Sequence, residues 1–336
     1  MPAALRLGTK IAGRAPLAVE VGKRMVNRGV DRGEAGYGVE AVTMLYSTRD
    51  AAEGIRAFTE RREPRFEGRR TMEPFVAEPF VALMRRYCID YTARHDLSVC
   101  DDIMVAGYTL HMGVHHLAGR DEAYKPAAAA QFRQFPGLCL TVNEIICSGD
   151  RLALRFTEHG ASVRHGGARA AWGGVGLYRW DGQRLLENYV EQDYLGRRRQ
   201  LAGDGPDPVE PPAVAPWDTR SVRADLAAEA VVRGWLAAAD LTGVIVDDGH
   251  PTHRLVAAGR TDISVLFSAG PRVAFHAVRH GPLTGDDPRF TGDGEAMLHL
   301  AGVVRVAGGQ VAGGRVITDR LGLLRRLAQA AGQAGP

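Results

Sequence analysis

One phrase occurs twice in this chain. Asp193-Tyr-Leu-Gly-Arg-Arg-Arg-Gln-Leu-Ala202 closes the middle of the sequence, and Asp319-Arg-Leu-Gly-Leu-Leu-Arg-Arg-Leu-Ala328 closes its end. A second pair lies in register with the first: Gly149-Asp-Arg-Leu-Ala153 leading to His159-Gly160, against Gly270-Pro-Arg-Val-Ala274 leading to His280-Gly281. The two offsets, 126 and 121 positions, differ by about one short indel. A repeat of this period constrains the fold before any residue-level reading, because each copy must form one structural unit. The 336 residues then divide into residues 1–69, 72–202, a linker 203–219, 220–329 and a tail 330–336.

Within 72–202, helix signals come first and strand signals follow. Phe75, Phe80, Leu83, Met84 and Tyr87 mark one helical face, and Ile103 to His116 reads as extended. Another helix starts at Gly119-Arg-Asp-Glu122 and stops before Phe135-Pro136-Gly137. Strand-like runs cover 138–147, 151–159 and 172–180, and an Asp181-Gly182 turn leads into 185–193. The same order returns after 220, with a helix over 222–239 and strands near 244, 262–267, 272–278, 297–306 and 311–319. Helices followed by an antiparallel meander give an α+β class, with helices on one face of a curved sheet. Residues 203–219 are Pro-rich and read as a semi-rigid linker, while 243–253 and 285–294 read as mobile loops.

Residues 1–69 read as helices: Pro16 suits a first turn, one helix covers Gly38 to Tyr46, and another starts at Thr48 and ends at Pro64. The phrases Lys10-Ile-Ala-Gly-Arg-Ala-Pro-Leu-Ala-Val19 and Thr48-Arg-Asp-Ala-Ala-Glu-Gly-Ile-Arg-Ala-Phe-Thr-Glu-Arg-Arg-Glu-Pro-Arg-Phe-Glu-Gly-Arg69 resemble the C-terminal end of the enoyl-CoA hydratase (crotonase) family. In that family the oxyanion-hole amides and catalytic carboxylates lie upstream of these helices. The resemblance therefore implies a packing or oligomer-contact segment and argues against hydratase activity. Met72 is placed where an independent start would fall.

The middle region resembles the SnoaL-like polyketide cyclases, a branch of the nuclear-transport-factor-2-like superfamily. The residues carrying this are Gly119-Arg120, Phe135-Pro136-Gly137, Ser148-Gly-Asp-Arg151, His159-Gly160, the Asp181-Gly182 turn, and Asp193-Tyr-Leu-Gly196 with Gln200-Leu201. Residues 220–329 keep the frame more weakly. The resemblance implies two tandem conical α+β barrels, each with a sheet and helices around a pocket, though a fold alone does not fix chemistry.

On the closing strand, Leu185, Glu187, Tyr189, Glu191 and Asp193 share one face by the period-two rule. In the family that face lines the pocket, and the Asp acts as general acid/base in an intramolecular aldol ring closure. Asp193 is thus the expected catalytic residue, with an N-cap of the following helix as its alternative role. Tyr189, Glu191, His111, Trp172 and Tyr178 are the expected substrate contacts. The family's cyclases tend to carry a His on the strand before the turn, where this chain has Leu177-Tyr178. An epoxide hydrolase variant would draw on Glu187 or Glu191 with Arg155.

In the second copy Asp319 replaces Asp193 and Arg315 replaces Tyr189, which favours a structural or ligand-binding role there. His159 recurs as His280 and reads as an anchor for a strand end. Trp172-Gly-Gly-Val-Gly176 lies inside a meander, so it reads as a bulge or tight curve and not as a dinucleotide loop. His111, His115 and His116 do not converge on an extended segment, so no metal and no organic cofactor are expected.

Charge and cysteines bound the partners. Net charge is +3 without a clustered basic stripe, which argues against nucleic acid. Four cysteines without a CxxC pair and a first segment broken by Arg6, Lys10 and Arg14 suit a reduced, cytoplasmic setting. No run approaches a membrane span. The reading is an enzyme of cyclase or isomerase type working on a polyketide or polycyclic carbonyl compound. Its alternative is a non-catalytic binding or scaffold protein whose N-terminal helices dock on a crotonase-type partner or on another copy of the chain.

Overall fold

The computed structural model describes residues 8–9, 11, 13–27, 45, 48–67, 77–239, 241–249, 255–292 and 294–332. They fall into two compact units, Met1–Val76 and Ala77–Pro336.

In the first unit, α1 (Pro16–Asn27) starts on a proline whose fixed φ suits a first helical turn. Helix α2 (Arg49–Glu60) is capped by Thr48, whose Oγ1 accepts the Ala51 N–H at 3.2 Å. It ends at Arg61 in the left-handed region, short of Pro64 where the sequence placed its end. The chain then folds back on α2, and Asp50 accepts the Glu67 N–H at 2.8 Å. The helix expected over Gly38 to Tyr46 falls almost entirely outside the described residues.

The second unit opens with α3 (Pro79–Arg86), which buries Phe80, Val81, Leu83 and Met84 and continues as a wider π-type turn to Ala93. Short α4 (Val99–Ile103) leads into β1 (Met104–Met112). Gly113, at φ +52°, turns the chain into β2 (His115–Ala118), so the expected single extended segment is a hairpin. Helix α5 (Lys125–Gln134) follows, then β3 (Cys139–Ser148), β4 (Arg151–Ser162), β5 (Ala168–Trp180), β6 (Leu185–Gln192) and α6 (Tyr194–Arg199). After the linker come α7 (Leu226–Ala237), β7 (Ile245–Val246), β8 (Thr261–Ala269), β9 (Arg272–Pro282), β10 (Glu295–Ala307), β11 (Gln310–Thr318) and α8 (Arg320–Ala330).

The first sheet has the order β2-β1-β6-β5-β4-β3 and the second β7-β11-β10-β9-β8. In each, a four-strand antiparallel meander ends on a strand that pairs in parallel with an earlier one, β1 with β6 and β7 with β11. This is a mixed α+β fold of curved sheets and helices. The repeated phrase occupies corresponding places. Asp193 caps α6 through the Gly196 N–H at 2.9 Å, and Asp319 caps α8 through the Gly322 N–H at 2.8 Å. The backbone N–H of each Asp also donates at 2.9 Å to the meander strand beside it, at Gly173 and at His299.

Each sheet has one face under helices and one against the other sheet. The first helical core gathers Phe80, Met84, Tyr108, Phe135, Leu152 and Leu154; the second gathers Val232, Leu236, Phe275, Leu300 and Val316. Between the sheets lie Ile146, Ala153, Val175 and Leu177 from one side and Phe267, Ala274, Ala301, Val303 and Ile317 from the other. The small side chains let the sheets approach closely. Strand β5 meets β10 and β11, while β6 meets β10 and β11, and α6 meets α8. Exchanging each element for its counterpart maps these contacts onto one another, as at a two-fold interface between identical subunits.

The linker is docked and does not act as a spacer. The Ala213 N–H donates to Val142 O at 2.8 Å, and Asn143 Nδ2 reaches Glu210 O and Pro211 O. Arg155 grips the Glu210 carboxylate with both terminal nitrogens, at 2.6 and 3.1 Å. The 243–253 stretch, read from sequence as a mobile loop, holds the buried Asp247, which accepts from both the backbone N–H and the hydroxyl of Thr318.

The glycine-rich stretch of β5 is an unbroken strand. A Cβ on Gly174 would sit 2.4 Å from the Phe156 ring, so the glycine lets that aromatic lie across the strand.

Candidate functional site

Along β4, Leu152, Leu154 and Phe156 face the helices by strand alternation, and Glu158 is next on the same face. A carboxylate placed there ends an apolar row facing a space between helices and sheet. That space is a cavity of about 190 Å3 between the helices and the first sheet. Tyr87, Tyr91, Tyr124, Phe132, Phe156 and Tyr178 give it aromatic walls, and Gln131, Glu158, Asn188 and Gln192 bring polar atoms to it.

Glu158 is buried, and that burial pushes its carboxyl up to about 7, with Arg197 nearby acting in the opposite direction. Gln131 Nε2 donates to Oε2 at 3.1 Å and fixes its orientation. The Arg197 guanidinium lies over the rings of Tyr194, at 4.1 Å, and Trp172, at 5.0 Å. Opposite Glu158 in chemistry are three phenols: Tyr87 and Tyr91 each meet the Tyr124 hydroxyl, at 3.0 and 3.1 Å. Burial holds all three well above the usual phenol range, so they remain neutral hydrogen-bonding groups. Asn188 Oδ1 is buried without a hydrogen-bond partner. One carboxyl poised near neutrality beside several neutral donors can remove a proton next to a carbonyl and hold the resulting oxyanion.

Of the residues expected from the sequence, Tyr178 lines this cavity. Trp172 stands just behind the wall, with its indole N–H donating to Gln192 Oε1 at 2.7 Å. The expected face of β6 is reversed: Asn188, Val190 and Gln192 look into the cavity, whereas Tyr189 and Glu191 look toward the second sheet. Tyr189 stacks on His111 at 4.1 Å. The β1–β2 hairpin brings His111 opposite His116, 4.6 Å between rings.

Asp193 does not line the cavity. Besides its cap, its Oδ1 receives Arg320 Nη2 at 2.7 Å, and Arg320 also binds Asp248 and lies against Asp247. The geometry gives Asp193 the capping role together with a buried tie between the two sheets' closing helices. Arg315 donates to Asp247 O and pairs with Glu210.

His159 and His280 each bridge to the neighbouring strand, His159 through Cys139 and Thr141 and His280 through Asp262.

A second cleft, of about 420 Å3, adjoins the cavity and shares Met112, Gln131 and Tyr194 as walls. Glu191 and Asp319 reach it, on either side of Gly113. Behind Glu191 stand His276 and His299, and one ligand-type atom of each of the three lies within 4.8 Å of the others. Neither histidine nor Glu158 was singled out from the sequence for a site. For Glu158 the signal was present, an acid ending the Leu152, Leu154, Phe156 row. For the histidines there was none, because they sit on strands of the other sheet.

Solved structures similar to this chain include a protein described as a SnoaL-like polyketide cyclase from Jannaschia sp. CCS1, 17% identical over 39% of this chain and 96% of that one, TM-score 0.36. TsrD from Streptomyces laurentii is 22% identical over 37% and 94%, TM-score 0.34. IdmH from Streptomyces antibioticus, described as a polyketide cyclase, is 20% identical over 36% and 96%, TM-score 0.32. The family model of the SnoaL-like domain matches residues 84–188, the segment that supplies most of the cavity wall, and this part of the chain is a SnoaL-like domain of the nuclear-transport-factor-2-like class.

Proposed function

We propose that the cavity over the first sheet is the active site of a cyclase- or isomerase-type enzyme acting on a compact polyketide-derived or polycyclic carbonyl compound. Glu158 as carboxylate takes a proton from the carbon between two carbonyls. The enolate attacks a second carbonyl of the same molecule, and the alkoxide formed takes the proton back from Glu158. The Tyr87, Tyr91 and Tyr124 hydroxyls and the Asn188 amide hold the oxygen atoms on which charge develops.

The observation that carries this reading is the buried acid, poised at about 7 in an aromatic-walled cavity of a SnoaL-like domain. A cavity of this size takes one or two rings, and a longer substrate would extend past Tyr194 into the adjoining cleft. Residues 220–329 are, on the same reading, a degenerate copy. The shared strand order supports this, and the equivalent space is filled by Val232, Phe275 and Leu300.

Deuterium exchange at the activated carbon of a small bicyclic β-diketone, followed by NMR, tests the proposal. The wild type should accelerate exchange over buffer, and Glu158→Gln should return it to the buffer rate while still binding the diketone. Unchanged exchange in that variant removes Glu158 as the base. Binding by the wild type without faster exchange leaves a binding protein.

A second reading is favoured at one place: Ile55 and Phe58 on α2 are 62% and 87% exposed. Such apolar residues suit docking on a crotonase-type partner or on another copy of the chain. The solution mass of the full chain, compared with that of a chain beginning at Met72, tests this, and monomers in both cases exclude it.

A further inference from the structure

We propose that Glu191, His276 and His299 form a binding site for a divalent first-row transition metal, set between the two sheets and open toward the larger cleft. The three side chains come from β6, β9 and β10, so the cluster exists only when the sheets are packed together. His276 Nε2 is 3.1 Å from Glu191 Oε1, and His299 Nδ1 is 4.0 Å from the same oxygen. Ligands at about 2.0–2.1 Å from a metal stand roughly 3.0–3.4 Å apart in octahedral or tetrahedral geometry. The first distance already matches; the second is longer and the three ligand atoms spread over up to 4.8 Å, so His299 must move toward the other two on binding.

The cluster has unmet polar capacity. All three residues are more than nine-tenths buried, at 1%, 3% and 8% exposure. His276 Nδ1 and both ring nitrogens of His299 have no hydrogen-bond partner. Buried polar atoms left this way are costly unless something satisfies them. The Glu191 carboxylate is itself oriented by the Gly113 N–H at 2.9 Å, as metal-bound carboxylates commonly are.

The pseudo-two-fold relation gives an internal comparison. The counterparts of Glu191 and His299 are Ile317 and Gly173, which meet through apolar atoms: a Cβ on Gly173 would stand 3.3 Å from Ile317 Cδ1. The counterpart of His276 is Arg155, which is taken up by Glu144 and Glu210, so one side alone carries the triad.

Two imidazoles and one carboxylate suit zinc, iron(II) or cobalt, and do not suit calcium or magnesium, which take oxygen ligands. Glu191 lines the cleft beside Asp319, so a water or an oxygen of a ligand in the cleft can complete the coordination.

The test uses the full chain stripped by chelator and titrated with cobalt(II), read by visible absorption and total metal, with zinc competition. One equivalent per chain is expected, displaced by zinc. Glu191→Gln, His276→Ala and His299→Ala should each weaken binding at least about 100-fold, while His116→Ala, at an exposed histidine, keeps it. X-ray absorption of the zinc-loaded wild type adds a reading independent of the variants' folding, with two imidazoles expected in the coordination shell. Absence of stoichiometric uptake by the wild type, binding that survives His299→Ala, or a shell without two imidazoles overturns the proposal.

Discussion

At the scale of single residues, burial decides which groups can carry charge. Glu158 lies in an apolar row, and its folded carboxyl is raised to about 7 from the ordinary 4.5. For an acid raised on folding, the native state binds more protons than the unfolded chain between these two values. Stability therefore falls as pH rises through that window and levels off above about 7. Glu158→Gln removes the dependence. Relative to wild type, the variant should gain roughly 3 kcal/mol between pH 4 and pH 8, measured by urea unfolding at both values. A difference that does not change with pH would mean the carboxyl is not desolvated as the structure indicates.

At the scale of elements, the sequence displayed most of the meander but not the facing of its last strand. Runs of β-branched and aromatic residues and the Asp181-Gly182 turn located β3 to β6 to within a few residues. Period-two alternation then sorted β6 into two sets without saying which set meets the helices. Both faces of β6 are covered, one by the cavity wall and one by the second sheet, so Asn188 and Gln192 are as polar as Tyr189 and Glu191. With no exposed face to break the tie, the alternation alone could not choose. The same covering explains Asp193. Its sequence position beside Leu-Gly suits a cap, and only the packing of α6 against α8 reveals Arg320 as its partner. Asp193→Asn should lower unfolding free energy by about 2–4 kcal/mol in urea titration at neutral pH, because Arg320 loses a buried partner and α6 its charged cap. A change below about 0.5 kcal/mol would contradict this role.

At the scale of the whole molecule, the duplicated phrase pointed to two units of one topology; the structure has a six-stranded and a five-stranded sheet, each with an antiparallel meander and one parallel pair. What the sequence left open was how the two sheets meet. The apolar residues of the sheet interface alternate with those of the helical cores, so both sets read as core. Ala153, Ala274 and Ala301, fully buried, belong to the cluster between the sheets. The two halves of Ala77–Pro336 should then unfold together. Ala301→Asp places an unpaired carboxylate between the sheets and should cost more than about 3 kcal/mol. Fluorescence of Trp180 in the first half and Trp235 in the second should report one shared, lowered midpoint; separate midpoints would mean the sheets are stable apart. Among the described residues no helix is long and apolar enough to cross a membrane.

The claim on which the functional reading stands is that Glu158, and not Asp193, moves the proton. The direct measurement is the pH dependence of diketone deuterium exchange in wild type, Glu158→Gln and Asp193→Asn. The wild-type rate should rise through about pH 7, Asp193→Asn should keep that profile under conditions where it is folded, and Glu158→Gln should show none. A profile that survives Glu158→Gln and disappears in folded Asp193→Asn would return the chemistry to the acid at the helix cap.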